Sequence, residues 1–468
     1  MRSTSVVTVP VSLDREDPRP LPVQLADGLR ESILQAWVGP GDPLPSSRGL
    51  ARHCGVSRGT VVAAYGQLAA EGFVIAHEGG STVVNPRLAA VHPLRAQGQP
   101  EPPPVLRPAV TDLRPGRPWT ASVAGAGWRA AWRAAWRAAA ADPFASDPAS
   151  AGDADLRSEL ADHLRRMRGV HRPAAHLVIT AGAREGLTVL LLALGRPGAV
   201  GVEEPGYPSL RRVPARLGLA TVPLPADADW LVTDALPETD PPSVLVVTPS
   251  HQYPLGGSMP IQRRQQLLAW AARHDVVIVE DDYDAELRYT SRPLPALAAL
   301  DDPDEGRVVT LGTFAKTVGP GLGAGFLLAP GRLLPAVLSS RADLGQPVAQ
   351  LTQRALGHYL ASGELRRHVQ RMRQLYGRRR RLVAEALAGL RSGRVYPMDG
   401  GLHVVIETAR PEAEVIADVL AQGVLVGRLS AHWSSQRGDR AGVVFGFGGV
   451  SEVELARALS VLVGAIDG

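Results

Sequence analysis

The sequence predicts two domains: an N-terminal winged helix-turn-helix of α+β class and a larger C-terminal α/β domain. Three observations carry this. Residues 11–86 are patterned as helix, turn, helix and hairpin. Residues 87–108 hold Pro93, Pro100, Pro102, Pro103, Pro104 and Pro108 with little periodic apolar pattern, and read as a semi-extended linker. From residue 109 onward, strand-like apolar runs alternate with helical stretches. At 468 residues the chain is also too long for one ordinary domain.

In the first unit, Leu25, Leu29, Ile33 and Leu34 recur at helical spacing over residues 21–37. Ser46 and Ser47 can cap a short helix ending at His53, and Gly55 supplies a tight turn. Ser57 caps a second helix that runs to Ala70 and is ended by Gly72. Residues 73–75 and 81–84 read as two strands around a tip at 77–80. A recognition helix needs small or hydrogen-bonding residues at its start to approach base edges, here Ser57, Arg58, Gly59 and Thr60. Arg48 and the backbone amides of Ser46 and Ser47 suit phosphate oxygens. Gly79 and Gly80 would bring the wing close to the minor groove. The competing reading is a small helical domain for protein contacts.

Composition narrows the remainder. Hydrophobic residues make up 45% and charged residues 21%, a normal globular balance. The single cysteine, Cys54, excludes an intrachain disulfide and favours a reducing compartment. No apolar run reaches membrane-spanning length, and Asp14, Arg15, Glu16 and Asp17 interrupt any secretory core, so a cytoplasmic protein is expected. The net charge of +4 decides nothing about nucleic acid. Of 50 basic residues, Lys316 alone is lysine. Arginine cannot condense with an aldehyde, whereas lysine can.

In the large domain, strands are expected at 177–180, 244–248, 276–280 and 307–311. Lys316 follows the last of these in LGTFAKTVGPGLGAGF, a loop of small residues. VVIVEDDYDAELRY sets Asp281 and Tyr283 at the carboxyl end of another strand, where open α/β sheets hold ligands. A carboxylate there can keep a pyridine nitrogen protonated, and a phenol can bond a ring hydroxyl. Taken alone, the acidic run reads better as a solvated loop. Trp128, Trp132 and Trp136 share one helix face at spacing four, and are expected to serve as core or dimer interface.

The segments LPSSRGLARHCGVSRGTVVAAYGQLAAEGFV and GGSTVV resemble the GntR family of transcriptional regulators. The series ITAGAREGL, VEEPGYPSL, VVTPSHQYPLG, IVEDDYDAELRY, LGTFAKT and GLHVVI resembles fold-type I aminotransferases that use pyridoxal 5'-phosphate (PLP). The combination covers nearly the whole chain and resembles the MocR subfamily of GntR regulators. That resemblance implies a winged helix-turn-helix on double-stranded operator DNA, a homodimer with swapped winged helices, and PLP or an amino compound as effector. It implies that Lys316 carries the internal aldimine, Asp281 meets the pyridine nitrogen and Tyr283 the phenolic oxygen. Tyr207 would lie by the ring and His251 or Gln252 on its hydroxyl side. Thr313 with Gly182, Ala183 and Arg184 would hold the phosphate. The sequence departs from the family at Gly323, where a phosphate-gripping arginine is usual, at Ala315 in place of serine, and at Phe144 in place of tyrosine. Around GVVFGFG no arginine stands where one would grip a substrate carboxylate, which argues for sensing over turnover. A regulator that has lost PLP and an active aminotransferase are the alternatives.

Overall fold

The computed structural model describes residues 11–35, 37–76, 81–88, 110–141, 148–195, 197–227, 230–284, 286–289, 295–434 and 440–468. Two compact units emerge, Met1–Leu106 and Arg107–Gly468.

In the first unit, α1 (Leu21–Leu34), α2 (Ser47–Cys54) and α3 (Arg58–Ala70) precede the antiparallel pair β1 (Val74–Ala76) and β2 (Thr82–Val84). Leu25, Leu29 and Ile33 are buried with Leu50, Val61, Leu68, Val74 and Val84 in one small core. Both cap serines act as the sequence suggests: Ser46 Oγ accepts from Gly49 N and Ser57 Oγ from Thr60 N, each at 3.1 Å. Each such cap stabilises its helix by about 1 kcal/mol. Gly55 closes α2 in the left-handed region at φ +64°, a conformation that costs a glycine little.

The second unit opens with β3 (Thr111–Asp112), α4 (Ala126–Ala141) and α5 (Ala154–Arg168). There follow β4 (Leu177–Thr180), α6 (Ala183–Ala193), β5 (Val200–Glu204), α7 (Pro208–Arg216), β6 (Thr221–Asp227), β7 (Trp230–Leu231) and β8 (Val244–Val247). Next come α8 (Ile261–His274), β9 (Val277–Asp281), α9 (Leu297–Leu300), β10 (Val308–Thr313) and β11 (Gly325–Leu328). These strands form one sheet in the order β4-β11-β10-β9-β8-β5-β6-β7. The run β10-β9-β8-β5-β6 is parallel, and β11 is antiparallel to both β10 and β4. The carboxyl ends of β4, β5, β8, β9 and β10 therefore share one edge.

The strands are buried on both faces, as a helix-covered parallel sheet requires. Leu245, Val247 and Ile278 pack with Leu160 and Leu164 of α5 and Trp270 of α8. Val244, Val246, Val277 and Val279 pack the other way, with Leu187 and Leu190 of α6. The chain then continues through α10 (Leu334–Leu344), α11 (Gln350–Ala361) and α12 (Glu364–Leu387). A smaller antiparallel sheet has the order β12-β13-β16-β15, from β12 (Gly393–Val395), β13 (His403–Thr408), β15 (Gly427–Arg428) and β16 (Gly442–Gly446). It is backed by α13 (Glu412–Ala421) and α14 (Glu452–Asp467), and β14 (Val424–Leu425) pairs in parallel with β3.

Of the two roles expected for the tryptophan stripe, core or dimer interface, the core face of α4 falls to alanines instead. Ala131, Ala135 and Ala139 form the buried face of α4, because small side chains let the helix approach α11 closely. Trp128 packs edge-on against Tyr359 at 5.3 Å, whereas Trp136 is 61% exposed. No helix among the described residues is long and apolar enough to cross a membrane.

Candidate functional site

The shared strand edge opens into a cavity of 610 Å³. Lys316, three residues beyond β10, lines it together with Asp281 and Tyr283 at the end of β9 and Tyr207 after β5. Thr313, Gly182, Ala183 and Arg184 line one end, and Gly323 faces the same space. Topology thus gathers residues separated by more than a hundred positions.

Lys316 is half-buried, and its Nζ donates to the Gly116 carbonyl at 2.9 Å. Burial lowers the amine's pKa, opposed by the nearby Asp284 and Asp281 carboxylates. Asp281 is buried, and one of its oxygens, Oδ1, has no hydrogen-bond partner. Removal from water pushes its carboxyl up to about 8, with the charges of Asp282 and Asp284 adding to the shift and Lys316 opposing it. The unpartnered oxygen faces a site where a basic ligand group would satisfy it. Burial likewise raises the Tyr283 phenol well above its ordinary value.

One end of the cavity is built from the turn between β4 and α6. Gly182 caps α6 at φ +112°, so the first amides of an 11-residue helix open toward the cavity beside Thr313. Arg184, in the first turn, is exposed and adds a charge. Glu185, which opposes that charge, is ion-paired with Arg341 and accepts from Ala181 N at 3.2 Å.

Two residues expected near the ring, Gln252 and His251, do not themselves line the cavity. Gln252 is buried and occupied structurally: its amide donates to Pro205 O at 2.7 Å and its oxygen accepts from Leu255 N at 3.0 Å. His251 stands behind the wall, with Nδ1 2.9 Å from both Tyr283 Oη and Asp284 Oδ2. The residue of that segment that does line the cavity is Tyr253, edge-on to Tyr207 at 5.1 Å.

Sequence reasoning also passed over His403, Asp284 and the Pro115–Gly116–Arg117 turn, all of which line the cavity. His403 Nε2 lies 2.8 Å from Pro254 O, and a carbonyl can only accept, so this nitrogen carries the hydrogen. Burial drives the His403 pKa down to about 3, so the ring is neutral. Tyr253 and Asp284 fall within the motifs VVTPSHQYPLG and IVEDDYDAELRY, so a signal existed. The turn at Gly116 carried none.

In the first unit, Ser46, Arg48, Ser57, Arg58 and Gly59 are exposed, with Ser47 and Thr60 half-exposed, around the starts of α2 and α3. Arg58 Nε donates to Ser47 Oγ at 3.2 Å, joining the two helix starts. Gly79, Gly80 and Phe144 lie outside the described residues.

A winged helix-turn-helix joined to an aminotransferase fold, with a lysine at the sheet's carboxyl edge, defines a DNA-binding regulator built on an enzyme scaffold. Residues 21–84 match the model for bacterial regulatory proteins of the gntR family, and residues 124–436 that for aminotransferase class I and II. The chain is 44% identical to the HTH-type pyridoxine biosynthesis transcriptional regulator PdxR of Corynebacterium glutamicum, over 98% of this chain and 99% of that protein. It is 31% identical to the "Probable rhizopine catabolism regulatory protein MocR" of Rhizobium meliloti, over 96% of this chain and 94% of that protein. Among solved structures, an archaeal alanine:glyoxylate aminotransferase superposes with a TM-score of 0.68 at 24% identity, covering 76% of this chain and 90% of that one. A multiple substrate aminotransferase from Thermococcus profundus gives 0.69 at 23%, covering 77% and 92%. The chain belongs to the MocR subfamily of GntR-type transcriptional regulators.

Proposed function

We propose that this regulator senses pyridoxal 5'-phosphate, alone or with an amino compound, at Lys316, and that cavity occupancy alters its hold on operator DNA. The observation that carries the reading is the orphaned Asp281 oxygen, buried at the wall of the cavity that also holds the chain's one lysine. PLP supplies an aldehyde that condenses with a lysine amine, and a basic ring nitrogen that a buried carboxyl can protonate. Asp281 holds the proton for that nitrogen, Tyr283 offers its hydroxyl to the ring oxygen, and Tyr207 and Tyr253 wall the ring. The α6 amides, Thr313 and Arg184 receive the phosphate. His251 acts through Tyr283, and Gln252 through the loop it braces.

The name of the Corynebacterium relative, a pyridoxine biosynthesis regulator, supports a vitamin B6 ligand. Ser46, Ser47, Arg48, Ser57, Arg58, Gly59, Thr60 and the wing glycines Gly79 and Gly80 form the DNA-reading face. Residues 87–108 act as linker between units at 11–86 and 109–468, and the working form is a domain-swapped homodimer in the cytoplasm. Two heads on one operator raise affinity through effective concentration.

A second reading, a large domain that has lost PLP, draws on Gly323 standing where the family keeps an arginine. One comparison separates the two. With PLP added, the wild-type protein should show a visible absorption band that a Lys316→Ala variant lacks. No band at saturating PLP would remove the covalent reading.

A further inference from the structure

Residues 110–119 form a strap across the large unit. Thr111 N donates to Gly423 O at 2.8 Å and Leu113 N to Leu425 O at 2.9 Å, which docks the strap against β14. Gly446 N at the end of β16 donates to Leu113 O at 2.6 Å, and Trp119 N donates to the Tyr376 hydroxyl at 2.8 Å. Between these anchors the strap dips into the cavity. There the Gly116 carbonyl accepts from Lys316 Nζ at 2.9 Å. The fit is close: at φ +91°, a Cβ on residue 116 would stand 2.6 Å from Nζ. In the chain, the strap begins directly after the proline-rich segment that follows the DNA-binding unit.

We propose that Gly116 is a positioning residue whose carbonyl holds the Lys316 amine while the cavity is free, and that capture of the amine by an aldehyde loosens the strap at its cavity end. This rests on the PLP reading for the identity of the aldehyde. The resting contact itself stands on the geometry alone. The neutral amine attacks the aldehyde carbon, a nitrogen–carbon double bond forms, and the aldehyde oxygen leaves as water with the two amine hydrogens. The donor that faced Gly116 O is thereby consumed. The strap loses its anchor between Leu113 and Trp119, at the place where ligand chemistry lies nearest, along the chain, to the DNA-binding unit.

Hydrogen exchange on the full-length protein tests this, read on peptides covering residues 111–119. Lys316→Met keeps the side chain's length and removes the donor, while Lys316→Arg keeps a donor. Without ligand, the Met variant should exchange its strap amides roughly three- to tenfold faster than wild type, the effect of losing one hydrogen bond. The Arg variant should stay close to wild type. PLP added to wild type should reproduce the acceleration, and pyridoxine 5'-phosphate, with an alcohol in place of the aldehyde, should not. Wild-type exchange in the Met variant would overturn the proposal. If the substitutions also speed exchange in β9 and β10, the two-ligand comparison on wild type decides alone. A Lys316-dependent band with an unmoved strap would sink the latch and leave the PLP reading intact. Absence of any band would sink the PLP reading, while the Met comparison would still judge the latch.

Discussion

Tyr283 presents its hydroxyl to His251 Nδ1 at 2.9 Å, the nitrogen that also faces the Asp284 carboxylate at 2.9 Å. A hydrogen on Nδ1 shared toward Asp284 would leave Tyr283 free to turn its own hydrogen elsewhere. The phenol would thereby be kept as a donor for a ring oxygen in the cavity. Tyr283→Phe should weaken PLP binding roughly 10- to 100-fold, the worth of one hydrogen bond to a charged acceptor. Fluorescence titration measures it, and unchanged affinity would show that the hydroxyl faces only His251.

Gly323 lines the cavity in the left-handed region at φ +58°, and a Cβ built there meets nothing within 4 Å. An arginine at this position pays a backbone cost of about 1–2 kcal/mol. A phosphate contact returns about 1.5–3 kcal/mol. The backbone strain is present with and without ligand and lowers stability rather than affinity, so Gly323→Arg should tighten PLP binding roughly 10- to 100-fold by equilibrium dialysis. Equal or weaker binding would mean that Arg184 and the α6 amides already satisfy the phosphate.

Glu203 lies buried on β5, with Thr248 Oγ1 2.5 Å from Oε2 and Thr248 N donating to Oε1 at 3.2 Å. Burial pushes its carboxyl up to about 7, against hydrogen bonds from Thr248 that pull it down. A carboxyl with a folded pKa above its unfolded value gives stability that is complete below the unfolded pKa and is lost as pH rises through about 7. Glu203→Gln should thus gain on wild type as pH rises, by up to about 3 kcal/mol above neutrality. Denaturation midpoints measured on either side of that window check the trend. A constant difference between the two proteins would assign the pH response to other groups.

At the DNA face, Arg58 is exposed at the first turn of α3, and Arg48 near the start of α2. Arg58→Ala should cost roughly 1–3 kcal/mol of operator affinity and relax discrimination at one base position. Arg48→Ala should weaken all sequences alike and reduce the salt slope by about one. Binding assays at several salt concentrations and operator variants separate the two, and identical behaviour would reject the division of labour.

Much of this molecule was legible in its sequence, for reasons that differ by level. Ser46, Gly55 and Ser57 announce the helix-turn-helix because capping and left-handed turns are local chemistry. Asp281 and Lys316 could be placed because each follows an apolar strand, and parallel strands deliver their carboxyl ends to one edge. Side-chain direction was less accessible. His251, Gln252 and Tyr253 are consecutive, yet only the last lines the cavity, because Gln252 is bound to Pro205 O on another loop and to Leu255 N of its own. Trp136 and Ala135 are adjacent on α4, and only the packing of α11 decides which turns inward. Gly116 and Lys316 stand 200 positions apart, and nothing local links them.

The arginine-for-lysine replacement across this chain has a chemical consequence for any reagent aimed at amines. An aldehyde meets a single ε-amine in 468 residues, and that one sits half-buried beside Gly116. Surface lysines, which in most proteins form stray imines and blur stoichiometry, are absent. Apart from the chain's α-amine, each captured aldehyde therefore counts one cavity, so borohydride trapping followed by intact mass would read fractional occupancy directly.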